Sequence, residues 1–103
     1  MADYVKVAQK KDLAPGSVKT VIVSGKAIAV ANVDGEFFAL DDACTHRGCS
    51  LGGEGMVEGK TLVCGCHGAK FDLTDGRVLA LPATIPLKTY PVKIEGEEVL
   101  VEV

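Results

Sequence analysis

The chain has 103 residues, enough for one domain and too few for two independent cores. Hydrophobic residues are 48% and charged residues 24%, which excludes a disordered or low-complexity chain. A net charge of −3 excludes the clustered basic surface that phosphate backbones require, so no nucleic-acid partner is expected.

In chain order the sequence reads as all-β. Fourteen residues are valine, and short alternating runs are separated by turn signals. Tyr4 to Gln9 is the first predicted strand, and Lys10 to Ala14 has room for one helical turn. Ala14-Pro15-Gly16 reads as a turn, because Pro fixes φ and Gly tolerates positive φ. Predicted strands Val18 to Val23 and Ala27 to Val33 flank Ser24-Gly25-Lys26, and Asp34-Gly35 is a two-residue hairpin signal leading into Glu36 to Leu40. From Cys44 to Gly68 the pattern changes: seven of the twelve glycines fall there, and only Lys60 to Val63 keeps strand periodicity. Such a stretch orders at a high entropic cost and needs more than apolar side chains to hold it. Asp75-Gly76 marks a turn before Arg77 to Leu81, and the last fourteen residues read as a hairpin around Glu95-Gly96-Glu97. Tyr4, Phe37, Phe38 and Tyr90 are expected in the core or on strand faces. The whole is expected to be a single domain over 1–103, with a subdomain at about 43–70 inserted in a β scaffold.

All four cysteines and both histidines lie in that insert. Two motifs hold them: Cys44-Thr45-His46-Arg47-Gly48-Cys49 and Cys64-Gly65-Cys66-His67-Gly68. Each offers a cysteine and a histidine at short spacing, and seventeen residues separate His46 from Cys64. Two such loops present four ligands to one inorganic centre. Structural zinc usually takes C-x2–4-C and H-x3–5-H pairs, and Cys-x-His is unusual for it. Gly52-Gly53-Glu54-Gly55 lacks the following Lys-Ser/Thr of a phosphate loop. Arg47, between ligands, suits either an acidic partner or solvent.

Cys-x-His followed by Cys-x-x-His at this separation resembles the Rieske family, whose [2Fe–2S] centre has two Cys on one iron and two His on the other. Gly48-Cys49, Gly68 and Phe71-Asp72 also fit that pattern. So do Leu13-Ala14-Pro15-Gly16, Val33 to Leu40 and Pro86 to Val92, which look like soluble Rieske-type ferredoxins. The resemblance implies a Rieske fold, an antiparallel sandwich or barrel-like scaffold carrying one [2Fe–2S] cluster. It implies Cys44 and Cys64 on the inner iron, and His46 and His67 on the outer, solvent-facing iron. Two ferric ions, two sulfides and two thiolates are neutral together, whereas a four-cysteine cluster starts two charges more negative. Adding an electron to the neutral centre is easier, so the imidazoles raise the potential.

Cys49 and Cys66 remain. In respiratory and photosynthetic Rieske proteins the cysteines at these motif positions form a disulfide, whereas most dioxygenase ferredoxins lack the pair. The bridge is expected here ahead of two buried free thiols; closing the 18-residue span would contribute about 3 kcal/mol. High-potential relatives carry a Ser just after the Gly of the second motif and a Tyr two residues later, whose hydroxyls donate to sulfur. Here Ala69 and Phe71 stand there, which predicts a potential in the lower half of the family's roughly −150 to +300 mV range. Leu81-Pro82-Ala83 resembles the proline loop that covers the cluster.

The resemblance implies a one-electron carrier with no catalytic turnover of its own. It would accept an electron from a flavin-dependent ferredoxin reductase and pass it to a terminal ring-hydroxylating oxygenase. Two other readings compete: a Rieske-type small subunit of a nitrite-reductase-like assembly, and a zinc-stapled binding module. No apolar run approaches the ~18–20 residues of a membrane span, and no basic-then-apolar leader precedes Tyr4. A cytoplasmic monomer without a membrane partner is therefore expected.

Overall fold

The computed structural model describes residues 4–23, 25–42, 50–65, 68–80 and 86–102. Eleven strands form among them: β1 (Tyr4–Gln9), β2 (Val18–Val23), β3 (Lys26–Val33), β4 (Glu36–Asp41), β5 (Gly55–Glu58), β6 (Thr61–Cys64), β7 (Lys70–Asp72), β8 (Val78–Ala80), β9 (Thr89–Tyr90), β10 (Val92–Glu95) and β11 (Glu98–Glu102). They make three antiparallel sheets, ordered β1-β11-β10, β2-β3-β4-β9 and β5-β6-β7-β8. The expected all-β class holds, and no described helix is long and apolar enough to cross a membrane.

Local chemistry explains the turns. The Ala14 carbonyl accepts the Ser17 N–H at 3.1 Å, with Gly16 at φ +83°, so Pro15-Gly16 occupy the centre of the turn. At Asp34-Gly35 both residues have positive φ, 51° and 92°, and Val33 pairs directly with Glu36. That is the mirror-image turn whose twist matches the strands. Buried Asn32 ties the two turns together: its amide donates to the Leu13 carbonyl at 2.7 Å and its side-chain oxygen accepts the Gly35 N–H at 2.8 Å. The predicted helical turn is a short 3-10 turn, Lys10–Asp12, with the Asp12 carboxylate accepting the Gln9 N–H at 3.1 Å.

The central sheet is buried on both faces, which is why β3 is buried continuously from Ile28 to Asn32. Alternation still sorts its side chains. Ile28, Val30, Phe37 and Ala39 meet Leu13, Val23, Tyr90, Val99 and Val101 in one core, against β11. Ala29, Ala31 and Leu40 meet Leu51, Leu62, Cys64, Ala69, Phe71, Leu73 and Leu87 in the other, against β6 and β7.

Two sequence expectations need correction. The region from Cys44 to Gly68 holds more regular structure than Lys60 to Val63: a four-residue helix, α1 (Leu51–Glu54), leads into β5, and β6 begins at Thr61. Glycines hid it, and two of them are there because neighbours approach too closely for a side chain. A Cβ on Gly52 would lie 2.0 Å from Thr20 Oγ1, and one on Gly55 would lie 2.2 Å from the Leu51 carbonyl oxygen. Secondly, Arg77 lies before the strand, which begins at Val78, since the Asp72 N–H donates to the Arg77 carbonyl in the preceding turn; Leu81 lies outside the described residues. Tyr4, expected in the core or on a strand face, stands exposed on β1, with its ring under Lys93 Nζ at 5.7 Å.

Candidate metal centre

Of the six cysteines and histidines, the described residues include one. Cys64 ends β6, where it is 1% exposed and packs within the second core. Leu62 and Cys64 alternate into the same core, and Val63 between them is buried as well. The Cys64 N–H donates to the Ala69 carbonyl at 2.7 Å, and the Cys64 carbonyl accepts the Gly68 N–H at 2.9 Å. Cys64 is thereby bonded to both Gly68 and Ala69. Gly68 stands at φ +78° with open space where a Cβ would go, so conformation, not crowding, calls for glycine there. β7 then runs back along β6, with Leu62 opposite Phe71 and Val63 opposite Lys70.

The neighbours of Cys64 are apolar. Ala69 and Phe71, singled out for the hydroxyls they lack, are both fully buried in the same core as the cysteine. No hydroxyl donates to Cys64 among the described residues.

The ends of the first motif are built differently. Asp42, 5% exposed, precedes it and Ser50 follows it. The Asp42 carbonyl accepts the Leu51 N–H at 2.7 Å. Its Oδ1 accepts the Gly52 N–H at 2.7 Å and the Thr20 hydroxyl at 2.8 Å. Thr20 Oγ1 also lies 3.1 Å from Ser50 Oγ, and since its only proton goes to Asp42, Ser50 is the donor in that pair. Ser50 Oγ in turn accepts the Gly53 N–H at 3.1 Å and caps α1. Sequence reasoning passed over Thr20, Asp42 and Ser50. The one local signal was Ser50 three residues before Gly53; the other partners lie 22 and 30 residues apart.

A third segment returns at Leu87, whose N–H donates to the Gly76 carbonyl at 2.9 Å. Gly76 has φ +77°, and a Cβ there would lie 2.0 Å from the Leu87 carbonyl oxygen. Beside it, the Tyr90 hydroxyl donates to Asp41 Oδ1 at 2.5 Å. Burial, and then that bond, push the phenol up to about 12.

Cys44, His46, Cys49, Cys66, His67 and Pro82, with Arg47, lie outside the described residues. The Cys49–Cys66 bridge expected from the sequence lies there too. What is described fits an iron–sulfur group: a buried sulfur donor at Cys64, an apolar surround, and a Cys64 backbone held by Gly68 and Ala69.

Residues 3–91 match the Rieske [2Fe-2S] domain. The chain is 43% identical over 97 residues to the ferredoxin component of biphenyl 2,3-dioxygenase from Rhodococcus jostii (strain RHA1), covering 94% of this chain and 90% of that one. In structure it is similar to a ferredoxin of Sphingomonas yanoikuyae B1, with a TM-score of 0.90, 36% identity, and 98% and 99% of the two chains covered. It is also similar to a chain in the complex of reduced oxygenase and oxidised ferredoxin of carbazole 1,9a-dioxygenase, with a TM-score of 0.89, 34% identity, and 96% and 92% covered. The antiparallel scaffold, the buried Cys64 and these similarities together place the chain in the Rieske [2Fe-2S] domain family.

Proposed function

We propose that this protein is a cytoplasmic, monomeric one-electron carrier that takes electrons from a flavin-dependent reductase and passes them to a terminal ring-hydroxylating oxygenase. The observation that carries this reading is the extent of the similarity. A relative named as a dioxygenase ferredoxin component is matched along 90% of its own length, so what is shared is the whole ferredoxin. The solved complex of oxygenase and ferredoxin supports the choice of acceptor. The chain performs no turnover by itself; when bound, the cluster supplies reversible one-electron chemistry.

In this reading Cys44 and Cys64 hold one iron, and His46 and His67 hold the other. Leu51, Leu62, Ala69 and Phe71, all fully buried around Cys64, exclude water from the sulfur side. Ala69 and Phe71 offer the sulfurs no hydroxyl, which keeps the reduced state comparatively unfavourable. Pro82 belongs to the covering loop, and a Cys49–Cys66 bridge ties the two ligand loops together.

An anaerobic redox titration followed by visible and electron paramagnetic resonance spectra tests this. A one-electron transition in the lower half of the range of roughly −150 to +300 mV is expected. A colourless zinc protein, or a transition near the ~−400 mV of four-cysteine ferredoxins, would overturn it. Tight co-purification with a large catalytic subunit would instead assign the chain to a nitrite-reductase-like assembly.

A further inference from the structure

We infer that Asp42, working with Thr20 and Ser50, is a positioning residue for the first ligand loop, and so sets how firmly the cluster is held. The inference rests on the ligand assignment proposed above.

Asp42 and Ser50 flank residues 43–49 in the sequence, and the described structure holds both of them. Both residues are clasped to one point on β2. Asp42 Oδ1 accepts from Thr20 Oγ1 at 2.8 Å and from Gly52 N at 2.7 Å, while the Asp42 carbonyl accepts from Leu51 N at 2.7 Å. Ser50 Oγ donates to the same Thr20 hydroxyl at 3.1 Å and accepts from Gly53 N at 3.1 Å. One carboxylate oxygen and one hydroxyl therefore join the strand before the loop, the strand beneath it and the helix after it. On the entering strand, the Asp42 N–H donates to the Ala27 carbonyl at 3.1 Å, so the backbone itself is tethered to β3.

The contact is close as well as polar. With glycine at 52 the helix backbone sits against Thr20; a Cβ there would meet Thr20 Oγ1, Thr20 N and the Lys19 carbonyl carbon at 2.0, 2.3 and 2.7 Å. Leu51, next to this clasp, is fully buried in the core that also holds Cys64. The two loop bases thus share one packed unit, and the clasp fixes the first base against the second.

Cys44 is only two residues beyond Asp42, so their Cα atoms are at most about 7.6 Å apart. Asp42 is therefore the described anchor nearest to that ligand along the chain. Partners that orient a metal ligand without touching the metal commonly change metal affinity by about 10–100-fold when removed.

The test uses the full chain carrying its cluster, with variants Asp42→Ala, Asp42→Asn and Thr20→Val. Three quantities are read: iron release to a chelator, the resonance g-values of the reduced protein, and the melting temperature. Asp42→Ala should release iron about tenfold faster with shifted g-values. Thr20→Val, which keeps its shape and loses the hydroxyl, should change both in the same direction and by less. Asp42→Asn keeps an oxygen able to accept from Thr20 and Gly52, and should retain wild-type values. Should Asp42→Ala not fold, Thr20→Val decides. Variants that melt earlier but keep wild-type g-values and release rate would reduce the clasp to a plain structural contact and overturn the inference. A wild-type protein that binds no iron would overturn the ligand assignment itself, a different and separately readable result.

Discussion

On one side of the central sheet, Ile28 and Val30 press large aliphatic side chains against Val99 and Val101 of β11. On the other side, Ala29 and Ala31 present only methyl groups, and Leu51, Leu62 and Phe71 fill the space from the far sheet. The first core is an ordinary meeting of two alternating sheets. The second is completed by close backbone approaches at Gly52, Gly55 and Gly76, and by a buried carboxylate shared between Thr20 and Gly52. Apolar area stabilises both. In the second, specific polar geometry also holds the residues that flank the two cysteine motifs.

The most severe break of this asymmetry is Cys64→Ser. Iron content and colour should be lost, together with electron transfer to an oxygenase. Amide exchange should quicken in β6 and β7 while β2 to β4 stay protected; uniform loosening of both cores would count against separate supports. Next come paired truncations. Phe71→Ala should cost about 3–5 kcal/mol and Ile28→Ala about 2–5 kcal/mol in denaturant unfolding. Only the first should also lower iron per chain, since Phe71 shares its core with Cys64.

A smaller contrast separates two glycines of positive φ. Gly76→Ala meets the Leu87 carbonyl and should cost more than about 2 kcal/mol, whereas Gly35→Ala, with open space around it, should cost about 1–2 kcal/mol. Equal melting temperatures for the two variants would show that the approach to Leu87 relaxes freely.

The mildest test is pH. The folded Tyr90 phenol is raised from its ordinary 10.0 to about 12, so its contribution is complete below about pH 10 and is lost as pH climbs towards 12. Tyr90→Phe should flatten stability across that window, and the tyrosinate absorbance of the folded protein should lose its latest-titrating component. Asp72 shifts the other way: hydrogen bonds from the Thr74 side chain and N–H hold its carboxyl below the usual value of 3.8, so its contribution fades on acidification.

Legibility in the sequence followed the same division. β1 and β2 have the predicted bounds, β3 starts one residue earlier, and the Asp34-Gly35 turn could be read from two letters, because their information is local. Cys64 and Gly68 likewise stood out by their spacing in the sequence. β5 and α1 were hidden, since the glycines that let backbones touch also erase hydrophobic period. β7 and β9 are only three and two residues long, too short to alternate visibly. The clasp at Asp42 was hidden for another reason. Its partners converge only once β2, β4 and α1 are in place, and no sequence window spans them.

The alanines at 29 and 31 make β3 smooth on one side of the wall between the two cores, beside Leu40 of β4. The two compartments share the wall but no side chain: each residue of β3 looks into one room only. Refitting one room therefore need not disturb the other, provided the smooth side stays smooth. Exchanging residues 50–73 between relatives is a transplant for which Ala29 and Ala31 set the clearance, and a valine at either position would raise the threshold against every incoming module.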